Sequence, residues 1–210
     1  MNNQFRYIVL AGPQAAGKST MIKGFCMQSS IIKPLQESRQ IIVRKYKRSG
    51  AIFMTKEDEL EVIHYDMRRM FHILDNHEDG EVYIDETNVF TLGHAKAHAI
   101  DLLEGYFKQY NDLLRALNAS VIFIDVLPSL SWERRHHRYA QRLAGLPTKQ
   151  VESTLCLYRA YLERLHHELN MVYKRLNIPK VRIDGSGTIA QTSLAGERVL
   201  SDIGTPLACV

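Results

Sequence analysis

The chain has 210 residues, of which 45% are hydrophobic and 24% are charged, and its formal net charge is +4. This composition is typical of a globular protein and excludes a fibrous or intrinsically disordered chain. The length predicts one α/β domain over residues 1–210, and the small positive excess is compatible with a phosphorylated ligand without indicating nucleic acid.

Short apolar runs alternate with amphipathic segments along the whole chain. The runs predict five strands, at 7–11, 31–35, 82–84, 121–124 and 181–183. Helical periodicity predicts helices at 19–27, 38–47, 55–74, 93–118 and 150–176, and a last helix opens at 188. Thr55 and Thr188 each begin a capping-box pattern. Strands that alternate with helices favour a parallel sheet with helical crossovers on both faces.

The first predicted strand leads into Gly-Pro-Gln-Ala-Ala-Gly-Lys-Ser, which matches the eight-position phosphate-binding loop in full. Backbone N–H groups of such a loop, and the positive end of the following helix, attract phosphate oxygens. We expect Lys18 to reach the β- and γ-phosphates of ATP, or of a similar triphosphate, and Ser19 to ligate Mg²⁺. The residues predicted to contact the nucleotide here are Gly12, Pro13, Gln14, Ala15, Ala16, Gly17, Lys18, Ser19 and Thr20.

Acidic residues follow the second to fifth predicted strands, at the sheet edge where open α/β proteins bind ligands. Asp85 and Glu86 end the third strand, a pattern in which the aspartate positions magnesium and the glutamate activates the nucleophile. Glu37, after the second strand, is another candidate base. We expect Asp125, after the fourth strand, only to cap the next turn.

A basic segment follows the fourth strand. Arg134, Arg138 and Arg142 recur at every fourth position and would share one helix face, with Arg135 beside it. Guanidinium groups suit triphosphate oxygens and neutralise the charge that develops during phosphoryl transfer. We therefore predict a lid over residues 129–146 in which Arg134, Arg135 and Arg138 act on the transferring group. A solvated helix and a contact with nucleic-acid phosphates are the alternative interpretations.

The histidines and cysteines indicate no metal site. His94 and His98 could share a helix face, but apart from Asp101 the chain offers no third ligand, so we expect surface or core histidines. The three cysteines, at 26, 156 and 209, are far apart, which is typical of reduced thiols and predicts a cytoplasmic protein. No signal peptide or membrane-spanning apolar run is present in the sequence, so we expect no membrane partner.

With these residues, the chain resembles the nucleoside and nucleotide kinases of the P-loop superfamily, especially thymidylate and deoxynucleoside kinases. The resemblance covers residues 5–203, although only the phosphate loop is specific. It implies a five-stranded parallel sheet in the order 2-3-1-4-5, Glu37 as the base for a substrate hydroxyl, and an adenine site bordered by Gly185 and Ser186. The family's third strand commonly ends in an acidic residue followed by arginine, whereas this chain has Asp85 and Glu86.

Three functions are compatible with the sequence. The first is a kinase that transfers the γ-phosphoryl group of ATP to a nucleoside or nucleotide, with Asp85 holding Mg²⁺ through water and Glu37 or Glu86 as the base. The second is an ATPase or switch protein that hydrolyses ATP without an acceptor, which the Asp-Glu strand end favours. The third is a kinase acting on a hydroxyl group of DNA or RNA. A homodimer is compatible with each of the three.

Overall fold

The computed structural model describes residues 5–45 and 54–202. Five strands form one sheet in which every neighbouring pair is parallel. In chain order they are β1 (Arg6–Ala11), β2 (Ile32–Leu35), β3 (Val82–Glu86), β4 (Ser120–Asp125) and β5 (Lys180–Asp184). Their order across the sheet is β2-β3-β1-β4-β5, which confirms the predicted α/β fold and strand order.

Eight α-helices connect and flank the strands in the described part of the chain. They are α1 (Lys18–Gln28), α2 (Ser38–Lys45), α3 (Lys56–Asn76), α4 (Thr91–Ala97), α5 (Glu104–Ala116), α6 (Pro128–Arg142), α7 (Thr148–Arg175) and α8 (Ile189–Asp202). Both predicted capping boxes are present, at the beginning of α3 and of α8. The predicted end of the second helix, residues 46–47, lies outside the described residues, as does Cys209.

The single helix predicted over residues 93–118 is wrong, because two helices, α4 and α5, occupy that range. Ala99 has a left-handed φ of 59°, which turns the chain away from the axis of α4. The N–H groups of Ala99 and Ile100 donate to the carbonyls of Lys96 and Ala95. This pair of bonds is the Schellman pattern that ends many helices. Glycine is the usual residue at such a position, and its absence left the break without a signal in the sequence.

The sheet is buried on both faces, which explains the continuous apolar runs of its central strands. Successive side chains of a strand point to opposite faces. Tyr7 and Val9 of β1 therefore pack in the layer formed by α3, α5 and α7, whereas Ile8 and Leu10 pack against α1 and α8. In the described ranges, no helix combines the length and apolar composition needed to cross a bilayer.

Two helical glycines give a matched test of this packing. A Cβ at Gly93 of α4 would lie 3.0 Å from Leu169 Cδ2 and 3.3 Å from the carbonyl carbon of Glu168 on α7, whereas a Cβ at Gly105 of α5 would meet no atom within 4 Å. We expect Gly93→Ala to lower the free energy of unfolding by about 1–3 kcal/mol through overpacking. Gly105→Ala should leave it unchanged or raise it by up to about 1 kcal/mol through helix propensity. Urea denaturation of both variants measures the difference, and equal effects would contradict the close approach of α4 to α7.

Candidate active site

The phosphate loop connects β1 to α1, and its shape depends on glycine at two positions. Gly12 has a φ of 145°, and a Cβ there would lie 2.5 Å from the carbonyl oxygen of Ile124 on β4. Gly17, directly before α1, has a φ of 89°. Both conformations disfavour residues with a Cβ. Lys18 lies across the loop, and its buried Nζ donates to the carbonyl oxygens of Gly12 at 2.9 Å and Pro13 at 3.0 Å.

Glu86 is the acidic side chain beside the loop. Its Oε2 accepts a hydrogen bond from Ser19 Oγ at 3.1 Å, and its Oε1 lies 3.8 Å from Lys18 Nζ. Burial raises the pKa of Glu86 above its ordinary value, and the attraction of Lys18 opposes that rise. The Ser19 and Glu86 oxygens are of the type that Mg²⁺ prefers, so this pair fits a magnesium site at the beginning of α1.

Asp85 faces the opposite side of β3 from Glu86, and its carboxylate is fully buried. It accepts hydrogen bonds from Arg69 Nη2 at 2.6 Å, from Asn88 Nδ2 at 2.7 Å and from the Tyr7 hydroxyl. These partners separate Asp85 from the loop, so we correct the expectation that it holds magnesium. Arg69 of α3, which the sequence analysis missed, is the arginine partner of Asp85. The resemblance implied an arginine directly after the acidic residue of this strand.

Asp66 shares the same guanidinium and completes a buried polar cluster between α3 and β3. Its carboxylate lies 3.0 Å from Arg69 Nη2 and accepts hydrogen bonds from the hydroxyls of Ser38 and of Tyr110, the latter at 3.0 Å. Burial, with the charge of Asp85 as the second cause, raises the pKa of Asp66 to about 7. This shift favours the protonated form of Asp66 within the cluster.

Glu37 lies directly before α2, on the wall of the cavity that contains the phosphate loop. Its carboxylate accepts hydrogen bonds from Gln40 Nε2 at 2.6 Å and Thr87 Oγ1 at 3.4 Å. The cavity has a volume of about 420 Å³. The structure thus brings Glu37, Glu86 and the loop together, although they follow three different strands. The lining residues that the sequence analysis did not identify are Arg39, Gln40, Thr87, His94 and Ile189.

The arginines of the predicted lid reach the same cavity from α6, and each has a different environment. Arg134 donates to the carbonyl oxygens of Ala15 at 3.3 Å, Gly185 at 3.0 Å and Gly187 at 2.6 Å, so it holds the loop after β5 against the phosphate loop. Arg135 Nη1 donates to Gln14 Oε1 at 2.8 Å. Arg138 is exposed at the cavity wall.

The loop after β5 contributes to the cavity differently from the expectation. Gly185 and Ser186 do not line it, whereas Ile189 at the beginning of α8 does. Ile189 Cγ2 lies 3.7 Å from the position that a Cβ of Gly17 would occupy. Of this region, Ile189 at the beginning of α8 lies on the cavity wall, whereas Gly185 contacts Arg134.

A second cavity of about 380 Å³ adjoins the first and shares residues with it. Glu37 and Arg135 are among the shared residues, so they lie at the junction. Arg39 also lies there, but Glu59 neutralises it through bonds of 2.7 and 2.5 Å. The other residues that line only the second cavity are Val43, Arg44, Met54, His98, Arg142, Tyr158 and Tyr161. Arg44, Arg135 and Arg142 form no ion pair with any carboxylate in residues 5–45 and 54–202.

His94 and His98 are neutral residues packed around Tyr161. Nδ1 of the buried His94 lies 2.9 Å from the Tyr161 hydroxyl, and the His98 ring stacks on the Tyr161 ring with centroids 4.3 Å apart. Burial lowers the pKa of His94 well below its ordinary value and that of His98 to about 4. No cluster of three potential metal ligands occurs within the described residues.

No protein-family model and no curated protein sequence matches the chain. Among solved structures, it is similar to the YorR protein of Bacillus subtilis, crystallised in complex with phosphorylated GDP. The superposition covers 95% of this chain and 98% of that chain, with a TM-score of 0.55 and 14% sequence identity. The chain therefore shares its overall fold with that protein.

The buried Asp66 makes stability depend on pH in a defined direction. Its folded-state pKa of about 7 exceeds the ordinary value of 3.8, so the folded chain binds more protons than the unfolded chain between these values. The contribution of Asp66 to stability is therefore present at low pH and is lost as the pH rises through about 7. We expect Asp66→Asn to flatten the fall in unfolding free energy between pH 5 and pH 8, measured by urea denaturation. An unchanged slope in the variant would show that Asp66 titrates normally.

Proposed function

We propose that the protein is an ATP-dependent kinase that transfers the γ-phosphoryl group to a nucleoside or nucleotide. The observation that carries this proposal is the junction between the two cavities. One cavity contains the phosphate loop, and the other adjoins it. Glu37 lines both cavities. A phosphoryl donor in the first cavity and an acceptor in the second would meet beside that carboxylate. The similarity to YorR, whose crystals contain phosphorylated GDP, supports a nucleotide ligand by analogy of fold.

The first cavity suits the triphosphate of ATP. Lys18 and the loop N–H groups would bind the β- and γ-phosphates. Arg134 would keep the loop after β5 in place beside the nucleobase of ATP. Ser19 directly, and Glu86 through water, would hold Mg²⁺, whose charge would offset that of the phosphates. Because Glu86 already contacts Ser19 and Lys18, we assign Glu86 to holding Mg²⁺. Glu37 is then the general base of the reaction.

In the proposed transfer, an acceptor oxygen forms a bond to the γ-phosphorus while the bond to the β,γ-bridging oxygen breaks and ADP leaves. If the acceptor is a hydroxyl, its proton passes to the Glu37 carboxylate. If the acceptor is a phosphate, its attacking oxygen is already deprotonated at neutral pH, so the transfer needs no base and Glu37 takes no proton. Arg135 and Arg138 would stabilise the charge on the transferring group.

The second cavity favours an anionic acceptor, hence a nucleotide over a nucleoside. Arg44, Arg135 and Arg142 are not balanced by carboxylate partners in the part of the chain described, and guanidinium groups bind phosphate well. Tyr158 and Tyr161 add aromatic surface. The volume of about 380 Å³ lies in the range of small-molecule sites.

A hydrolytic function is the second candidate, because Glu86 lies beside Ser19 as the acidic residue of an ATPase would. Such a protein would transfer the γ-phosphoryl group to water, with Glu86 activating the water molecule. The second cavity weighs against this function, because hydrolysis requires no acceptor compartment.

Substitution of the two carboxylates separates these roles. If the acceptor is a hydroxyl, Glu37→Gln should lower turnover by about a hundredfold or more, because the base is lost while ATP still binds. With a phosphate acceptor, turnover should fall by about tenfold or less, because no proton is transferred and only the hydrogen bonds of Glu37 to Gln40 and Thr87 change. Glu86→Gln should mainly raise the magnesium concentration needed for activity. Full activity of Glu37→Gln with every acceptor would exclude Glu37 from the reaction.

Substitution of different α6 arginines should affect different quantities, either turnover or ATP affinity. Arg138→Ala should lower kcat by about tenfold or more with little change in ATP affinity, because its contact is expected only as charge develops. Arg134→Ala should weaken ATP binding, since the loop after β5 would lose two hydrogen bonds and the phosphate loop would lose one. Arg142→Ala, outside the first cavity, serves as the control and should leave ATP affinity unchanged. Identical kinetics for Arg138→Ala and the unmodified protein would indicate a solvated basic helix.

A further inference from the structure

The residues on either side of Glu37 are each held by a side chain of α3. Arg69 Nη1 donates to the carbonyl oxygen of Gln36 at 2.6 Å. On the other side, the Ser38 hydroxyl donates to the carboxylate of Asp66. Arg69 and Asp66 also bind each other, one turn apart on the helix. The three-residue segment 36–38 is therefore fixed at both ends by one pair of charged side chains.

This pair is in turn fixed to the centre of the sheet. Arg69 binds the buried Asp85 at the end of β3, and Asp85 accepts a hydrogen bond from Tyr7 of β1. The phosphate loop follows the same strand β1. A continuous series of polar contacts thus relates the position of Glu37 to the strand that carries the loop. Groups that face Asp66 come from α2, α3, α5 and β3, namely Ser38, Arg69, Tyr110 and Asp85.

Without these contacts, little in the sheet fixes the segment. β2 has four residues, lies at the sheet edge and, of the described strands, pairs with β3 alone. The Glu37 carboxylate itself is bound by two neutral side chains, those of Gln40 and Thr87. A buried guanidinium with two carboxylates also contributes little net stability compared with an apolar replacement, because desolvation offsets the attraction. Net stability alone therefore does not explain why this charged group lies next to the segment that carries Glu37.

We propose that Arg69 and Asp66 are positioning residues that hold the segment 36–38 so that the Glu37 carboxylate faces the phosphate loop. The proposal rests on the proposed function of Glu37. Neither residue lines the cavities that hold the donor and acceptor, so both act through the backbone and hydroxyl groups that flank the base. A displacement of the base by about 1 Å lowers turnover by up to about a hundredfold.

Arg69→Lys tests the proposal with little change in charge. The lysine keeps a cation for Asp85 and Asp66 but loses the forked geometry that also reaches Gln36. With an acceptor that reacts through a hydroxyl, we expect kcat for phosphoryl transfer to fall by about ten- to a hundredfold, with the KM values for ATP and acceptor changed by less than about threefold. Arg68→Lys is the matched control, because Arg68 is exposed and, among the described residues, bonds only within its own helix, so its kinetics should be unchanged.

A double-substitution cycle distinguishes positioning from a general structural effect. If Arg69 acts through Glu37, the variant with both Arg69→Lys and Glu37→Gln should be as slow as Glu37→Gln alone. If the two substitutions lower kcat independently, so that their fold-losses multiply in the double variant, the proposal is overturned. Normal turnover of a folded Arg69→Lys variant, with Glu37→Gln slow, would overturn it while leaving the proposed function intact. Normal turnover of Glu37→Gln would instead reject the assigned role of Glu37.

Ser38→Ala gives the same test if Arg69→Lys does not fold. It removes one hydroxyl from the cluster and leaves both ion pairs of Arg69 in place. We expect a loss in kcat of about three- to tenfold, from one lost hydrogen bond, that disappears in the Glu37→Gln background. A folded Ser38→Ala variant with unchanged kcat would overturn the part of the proposal that concerns Asp66.

Discussion

All five strands run in the same direction, and this single constraint brings the candidate active site together. The carboxyl ends of parallel strands lie at one edge of the sheet, so the segments that follow them become neighbours. The phosphate loop follows β1, Glu37 follows β2, Glu86 ends β3 and the arginines of α6 follow β4. Residues separated by more than a hundred positions therefore contact one another, as Arg134 does with Ala15.

The charges at this edge are divided between the two faces of β3. Glu86 faces Lys18 and the phosphate loop, whereas Asp85 is enclosed with Arg69 in the core layer of α3. Alternation along a strand produces this division from two adjacent acidic residues. The Glu86 carboxylate borders the cavity of the phosphate loop, and the Asp85 carboxylate connects α3 to the sheet. Adjacent residues of the same type thus have different physical roles.

The sequence predicts most of the fold, because apolar runs, capping boxes and the glycines of the phosphate loop are local signals. The break between α4 and α5 carries no such signal, since Ala99 adopts a conformation usual for glycine. The sequence does not show which face of β3 the Asp85 side chain lies on, because a polar residue at the end of a strand has the same sequence pattern whether it is buried or exposed. Arg69 belongs to the site only through the packing of α3 on β3, a contact between residues 16 positions apart in the chain.

The most direct test of the proposed function is the fate of the γ-phosphoryl group. ATP labelled in that group would be incubated with magnesium and, separately, with nucleosides, nucleoside monophosphates, oligonucleotides or no acceptor, using Lys18→Ala as the control. We expect the label to move to a nucleoside or nucleotide, with little released as inorganic phosphate in the absence of acceptor and no transfer by the control. Release of labelled phosphate at the same rate with and without acceptor would contradict the kinase assignment, and transfer to oligonucleotides alone would contradict the proposed acceptor.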